Sequence, residues 1–374
     1  MKRIPSMLLP WLLIFLLAPA GLAACGGNAG GASGSSQRSA LLQALALAPA
    51  TVTDFAFTDW SALTQYKGAQ GLTSKSDKDA RQRFLVSLNQ DQALASAYGV
   101  DYALAQDEAS LWSWDSTDLI WESTVSPGPP VYTLRLRDDF DFTPVAKHFE
   151  ERGFHKETYR EAALYTHRLD LTVDWAPPLG IFNTAILASA KLLILSSSPD
   201  SVRSVLDVFA KVAGSLADDA AFAGVATQLS GAASAELAPG AYICSRIFDV
   251  LGPRVTPEQL AQLRQTVADA GQVHVYGALG VGYHDEQSRP VGLLVFHYAA
   301  SGDAQVDLAA RRTLASTASS LLTNKPYSDE VFSVEAATAS GSDLVLRVRP
   351  VQDQPQRLFI MWYSRDLLFA ACPP

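Results

Sequence analysis

Apolar positions recur along this chain with two different periods. Val131, Thr133 and Arg135 alternate with Tyr132 and Leu134, the two-residue period of a strand. Val202, Val205, Leu206, Phe209 and Val212 instead recur at helical spacing, on one face. The helices have readable ends. Ser198-Pro199-Asp200 places a capping hydroxyl before a proline in the first turn, and Gly214 stands beyond the last apolar position. Thr256-Pro257-Glu258-Gln259 reads as a capping box, with Leu260, Leu263 and Val267 as the buried stripe and Gly271 as the exit. Thr143-Pro144 opens a shorter helix that carries Val145 and Phe149 and ends at Gly153, and residues 303–322 predict its counterpart. Hairpins with interspersed helices, rather than regular βαβ units, predict an α+β fold of mainly antiparallel sheet.

The pattern also repeats. Leu47–Trp60 (LAPATVTDFAFTDW) matches Leu237–Val250 (LAPGAYICSRIFDV), with Leu, Ala and Pro shared at the start and Asp59 against Asp249. Pro130–Leu134 matches Pro290–Leu294 as a strand followed by a helix. Ile186–Pro199 (ILASAKLLILSSSP) matches Met361–Pro374 (MWYSRDLLFAACPP), each read as two apolar runs flanking a four-residue hairpin turn. Order and kind agree in all three pairs, so we expect an internal duplication of a strand–helix–hairpin module. Residues 39–232 form the first copy and 233–374 the second. The stretch 71–129, with its helical pattern over Gln82–Tyr98 and its cluster Trp112, Trp114 and Trp121, is expected to be an insertion in the first copy.

Composition narrows the class. The 374 residues are 48% hydrophobic and 18% charged, enough for a large core and for two domains or one large one. Three cysteines exclude a disulfide framework and a four-thiolate zinc ribbon. Twenty-nine basic against 38 acidic residues argue against nucleic acid as a partner through a basic surface.

The N-terminus reads as an address. Lys2 and Arg3 precede the apolar run Met7–Ala20, and Leu22-Ala23-Ala24-Cys25 follows. The run is shorter than a comfortable span and holds Pro10 and Pro19. This stretch resembles the lipobox of bacterial lipoproteins. The resemblance implies cleavage between Ala24 and Cys25, acylation of Cys25 (diacylglyceryl, with palmitate among its acyl chains) and residence on the outer side of a cell membrane. Residues 1–24 are then discarded, and 25–38 (Cys25 and a Gly/Ser-rich tether) link the lipid to the body. Loss of Lys2 and Arg3 takes the formal charge from −9 to −11. An acidic body makes attachment depend on acyl chains rather than on anionic lipid.

Motifs for chemistry are sparse. Gly-x-Ser-x-Gly, Ser-x-x-Lys, His-Glu-x-x-His, a phosphate-binding loop and an EF-hand loop do not occur. Gly277, Gly280 and Gly282 are read as relief of crowding in a strand rather than as a dinucleotide fingerprint. His284-Asp285-Glu286 is assigned to a solvated turn, and Asp138, Asp139 and Asp141 to helix N-terminal charge rather than a cation site. Trp60, Trp112, Trp114 and Trp121 suit core packing or, as the alternative, a stacking groove. No catalytic, metal or cofactor-binding residue is nominated, and no cofactor. Cys244 and Cys372, placed in the first and last strands of the second copy opposite Asp54 and Ser197, are either a disulfide or two buried thiols. A bridge would close a loop of about 130 residues, stabilising by roughly 4–5 kcal/mol.

Leu192–Phe222, Leu47-Ala48-Pro49 and Asp138–Gly153 resemble bacterial extracytoplasmic domains of unknown function, a resemblance that supports the build and carries no site residues. The expectation is therefore a membrane-anchored, non-enzymatic binding or structural module of the cell envelope, facing an envelope protein or a small ligand. The alternative is a solute-binding lipoprotein with a ligand between the two copies.

Overall fold

A computed structural model describes residues 39–91, 94–99, 112–126, 128–170, 172–173, 181–248 and 256–373. β1 (Asp54–Asp59) and β8 (Ser234–Pro239) lie side by side in the middle of a twelve-stranded antiparallel sheet. Strand order runs outwards identically on both sides of this pair. One side holds β2 (Leu119–Ser126), β3 (Val131–Leu136), β7 (Leu192–Ser196) and β6 (Asn183–Leu187). The other holds β9 (Ala278–Glu286), β10 (Arg289–His297), β12 (Asp343–Pro350) and β11 (Phe332–Ser340). Among the described residues the hairpin of β4 (His155–Tyr159) and β5 (Ala162–Thr166) alone has no counterpart strands, and it extends the first side past β6.

Helices follow the same duplicated order. β1 runs into α2 (Trp60–Tyr66) and α3 (Lys78–Asp91), as β8 runs into α7 (Gly240–Arg246) and α8 (Pro257–Asp269). β3 is followed by α4 (Thr143–Glu151) and β10 by α9 (Asp303–Thr317). The α+β class and the duplication are thus both written in the topology. Predicted caps are in place. The Ser198 hydroxyl accepts from the N–H of Ser201 and starts α5 (Pro199–Phe209), which ends before the exposed Val212. Thr256 and Gln259 close the reciprocal box of α8.

Several block alignments need correction. β1 corresponds to β8, so Asp54 is equivalent to Ser234 and not to Cys244; the shared Leu-Ala-Pro precedes β1 in one copy and ends β8 in the other. Met361–Pro374 is not a hairpin. It covers the end of α11 (Gln356–Tyr363) and a buried coil, whereas β11 and β12 are the true counterpart of β6 and β7. Short apolar runs fit either a strand or a buried helix, and here burial on all sides made them look alike. Within 71–129, α3 and β2 take the places that α8 and β9 take in the second copy.

The sheet is covered on both faces. Trp60 and Leu63 of α2, Phe84 and Leu88 of α3, Val145 and Phe149 of α4, and Met361 and Trp362 of α11 belong to one core, joined by residues of α7, α8, α9 and α10 (Tyr327–Glu330). On the opposite face α1 (Ala40–Leu45), α5 and α6 (Ala220–Gln228) share a second core with Phe55, Phe57, Ala235 and Leu237. Among the described residues no helix is long and apolar enough to cross a membrane.

Packing of α6 across β9 depends on glycine. A Cβ on Gly280 would stand 2.4 Å from Val225 Cγ1 and 2.9 Å from Leu229 Cδ1. Gly280→Ala is therefore expected to lower stability by about 1–3 kcal/mol, read as a lower urea midpoint with an unchanged slope.

Candidate functional site

Side chains alternate across β1 and β8, and the two faces differ at the seam. Phe55, Phe57, Ala235 and Leu237 point to the apolar α1–α5–α6 side. The other face carries Asp54 and Thr58 of β1, Ser234 and Glu236 of β8, and Glu122 and Thr124 of β2. Register sets Glu122 beside Thr58 and Thr58 beside Ser234. Glu122 and Glu236 are 0% and 2% exposed. Buried carboxyls in the middle of a sheet cost stability unless paired, so their partners decide what the site does.

Most partners come from the short strap Leu94–Gly99, which lies over this face. Ser234 Oγ accepts the N–H of Ala95 (2.7 Å) and donates to Phe57 O (3.1 Å). Thr58 Oγ1 donates to Ser96 O at 2.7 Å, and the Ser96 and Thr124 hydroxyls meet at 2.6 Å. Glu122 Oε2 accepts the N–H of Gly99 at 3.0 Å. Glycine is required there, because a Cβ would come within 2.9 Å of both Glu122 Oε2 and Trp60 Cζ2. Among the described residues the strap has no ladder partner, and strand side chains bond its backbone instead.

From the second copy, the end of α11 closes the cluster. The Tyr363 hydroxyl lies 2.7 Å from Ala95 O and 2.5 Å from Glu236 Oε1. Arg365 Nη2 donates to Asp54 Oδ2 at 2.9 Å, with its guanidinium over the Tyr242 ring. Burial pushes the Glu122 carboxyl up from 4.5 to about 7, against the pull of the Gly99 N–H. Burial and then the neighbouring Asp54 push Glu236 well above its ordinary range. Asp54 is also raised by burial, and Arg365 opposes the rise.

Beside the strap, a cleft of about 290 Å³ opens between the copies. Leu63, Tyr66 and Leu94 line it from the first copy, and Tyr283, Asp285 and Gln356 from the second. The Tyr66 hydroxyl accepts the N–H of Asp285 across it at 3.2 Å.

Other sequence-derived candidates fall elsewhere. Ala24 and Cys25 lie outside the described residues. Trp60, Trp112, Trp114 and Trp121 are buried, so the groove alternative gives way to core packing; Trp112 packs on Phe149 and Phe154. Asp141 Oδ1 accepts the N–H of Thr143 at the start of α4. His284 ends up near the end of β9, 2.7 Å from Glu286, whose carboxylate also holds Arg347. Among the described residues no group of three His, Cys, Asp or Glu side chains is placed to hold a metal. Cys244 sits on α7 and Cys372 in coil, not in strands. Their Cα atoms are 5.3 Å apart and their sulfurs are paired as a disulfide.

Buried donors hold the chain that leads to Cys372. Arg311 donates to Phe369 O (3.1 Å) and Ala371 O (2.6 Å), and Tyr276 to Ala370 O (2.8 Å). The carboxyl cluster went unnoticed in the sequence, although lone acids inside apolar strands (LIWESTV, SAELAP) were its signal.

No protein-family model matches the chain, and no curated protein matches it. Among solved structures, crystal form I of the treponemal protein TP0453 is similar at a TM-score of 0.37 and 7% identity, over 86% of this chain and 97% of that one. Crystal form III of the same protein gives 0.39 and 7%, over 87% and 97%. Any functional reading therefore rests on the residues of this chain.

Glu122 is favoured in its protonated form by the fold. Its stabilising contribution is complete below about pH 4.5 and is lost as pH rises through about 7. The urea midpoint is expected to fall between pH 5 and pH 8, and Glu122→Gln to remove on the order of 3 kcal/mol of that dependence. Peptide mapping without reductant is expected to recover Cys244 linked to Cys372; alkylation of both thiols in the native chain is the contrary result.

Proposed function

We propose that the chain is an extracytoplasmic lipoprotein, anchored through acylated Cys25, whose body is a non-catalytic binding or structural module of the cell envelope. The observation that carries this reading is Leu22-Ala23-Ala24-Cys25, standing between an apolar run and a Gly/Ser tether. The tether leads directly to the body, whose first helix begins at Ala40. With a formal charge of −11 after cleavage, the body gains nothing from anionic lipid, so acyl chains supply the attachment.

The arrangement at the seam supports a non-catalytic reading. The hydroxyls of Thr58, Ser96 and Ser234 are used on the chain's own backbone and on one another, and Glu122 and Glu236 lie beneath the strap rather than on a wall of the cleft. A second reading, a small solute held between the copies, is favoured by the position and mixed lining of the 290 Å³ cleft.

Expression in a bacterial host with an alkyne-tagged palmitate tests the anchor. The wild-type chain is expected to carry the label and to lose residues 1–24 by intact mass. Cys25→Ser is expected to lose the label and shift from the membrane to the soluble fraction. An unlabelled wild-type chain, or one that keeps residues 1–24, would overturn the proposal.

A further inference from the structure

The Tyr363 hydroxyl poses a proton-counting problem. It has one hydrogen, yet two oxygens lie within bonding distance, Ala95 O at 2.7 Å and Glu236 Oε1 at 2.5 Å. A backbone carbonyl only accepts, so the hydroxyl donates to Ala95. The second contact then needs a hydrogen on Glu236, with the carboxyl donating to the Tyr363 oxygen. An ionised Glu236 would instead compete with Ala95 for the single tyrosine proton, and a charge-assisted bond to the carboxylate wins that competition. Ala95 O would be left buried without a donor, which costs about 1–3 kcal/mol.

Surrounding charges are arranged to keep the proton. Asp54 on β1 faces Glu236 and repels its ionised form, while Arg365 draws it the other way but is already paired with Asp54. Arg246 and Tyr242 on α7 face Asp54 and Arg365 rather than Glu236. Glu122 on β2 shares the face, and Tyr98 in the strap lies against Tyr132. No cation is bonded to Glu236 among the described residues. Burial and Asp54 together push the carboxyl well above its ordinary range, which favours its protonated form.

We propose that Glu236, Tyr363 and Ala95 form a proton-operated latch across the seam between the two copies. Protonated, it ties the Leu94–Gly99 strap of the first copy to the end of α11 in the second. Both tied elements border the seam cleft, through Leu94 on one side and Gln356, the first residue of α11, on the other. Loss of the Glu236 proton moves the tyrosine hydrogen to the carboxylate, releases Ala95 O and loosens the strap, widening the cleft. The Glu236 proton passes to solvent as its O–H bond breaks; the tyrosine keeps its own hydrogen, which only turns from Ala95 O to the carboxylate. This inference stands on the seam alone and does not depend on acylation of Cys25.

Hydrogen exchange by mass spectrometry on the full chain tests it, at pH 6 and pH 9.5 and corrected for intrinsic amide rates. In the wild-type chain, peptides covering Ala95–Gly99 are expected to exchange at least about tenfold faster at pH 9.5 than at pH 6, a shift of about 1.4 kcal/mol in opening. Glu236→Gln supplies an amide donor in place of the carboxyl and is expected to keep these peptides protected at both values in a Glu122→Gln background, which removes the other acid that titrates against the strap. Tyr363→Phe, at a residue that is 57% exposed, is expected to leave them fast at both. Wild-type exchange that is independent of pH would overturn the latch. So would a Glu236→Gln chain that keeps the wild-type pH dependence in the Glu122→Gln background, or a Tyr363→Phe chain that remains protected.

Discussion

The antiparallel contact between β1 and β8 turns two seven- and five-stranded halves into one sheet, with Phe55 beside Leu237 and Thr58 beside Ser234. Neither strand is an edge once the two are joined, and neither half has an unpaired central strand left over. Helices from both copies then meet over the same strands. The β1–β8 pair therefore sets where the strap, α11 and the cleft sit, because all three are placed against it.

That central pair is amphipathic in an unusual sense. One face is apolar and receives α1 and α6. The other face of the sheet is polar at this pair and apolar towards the outer strands, where Phe149 of α4 stacks on Tyr165 of β5 and α9 lies over β11 and β12. The polar middle accepts a piece of irregular backbone, since Ser234, Thr58 and Glu122 offer hydrogen bonds that a hydrocarbon surface could not. Buried acids are the consequence, and neutralisation by protonation is the cheapest way to keep them there. The same face that stabilises the strap thus makes it sensitive to pH.

At the far end of the second copy a related solution recurs. The chain after α11 runs buried without a sheet partner, and Arg311 and Tyr276 satisfy its carbonyls. Asp366 accepts from the Ser320 hydroxyl and the Leu321 N–H in the same stretch. Coil held by side chains carries no periodic signal, which is why these apolar residues read as a hairpin. The Arg311 cluster also brings Cys372 to α7, where Cys244 waits.

Local physics was legible in the sequence. Caps at Ser198 and Thr256, the glycines of β9 and the alternation of Val131–Leu136 each depend on neighbours within a few residues, and each stands where expected. The duplicated order of elements was legible too, although its register was ten residues off at β8, since few identities survive between the copies. The resemblance of Leu22–Cys25 to a lipobox rests on a linear pattern, readable without any fold. Tertiary structure alone decided the rest. Glu122 and Glu236 became a cluster only when strands more than a hundred residues apart were laid edge to edge, and Tyr363 reached Ala95 only by crossing the seam. Contacts of that kind carry no spacing in the chain, because the sheet and not the sequence order makes their partners neighbours.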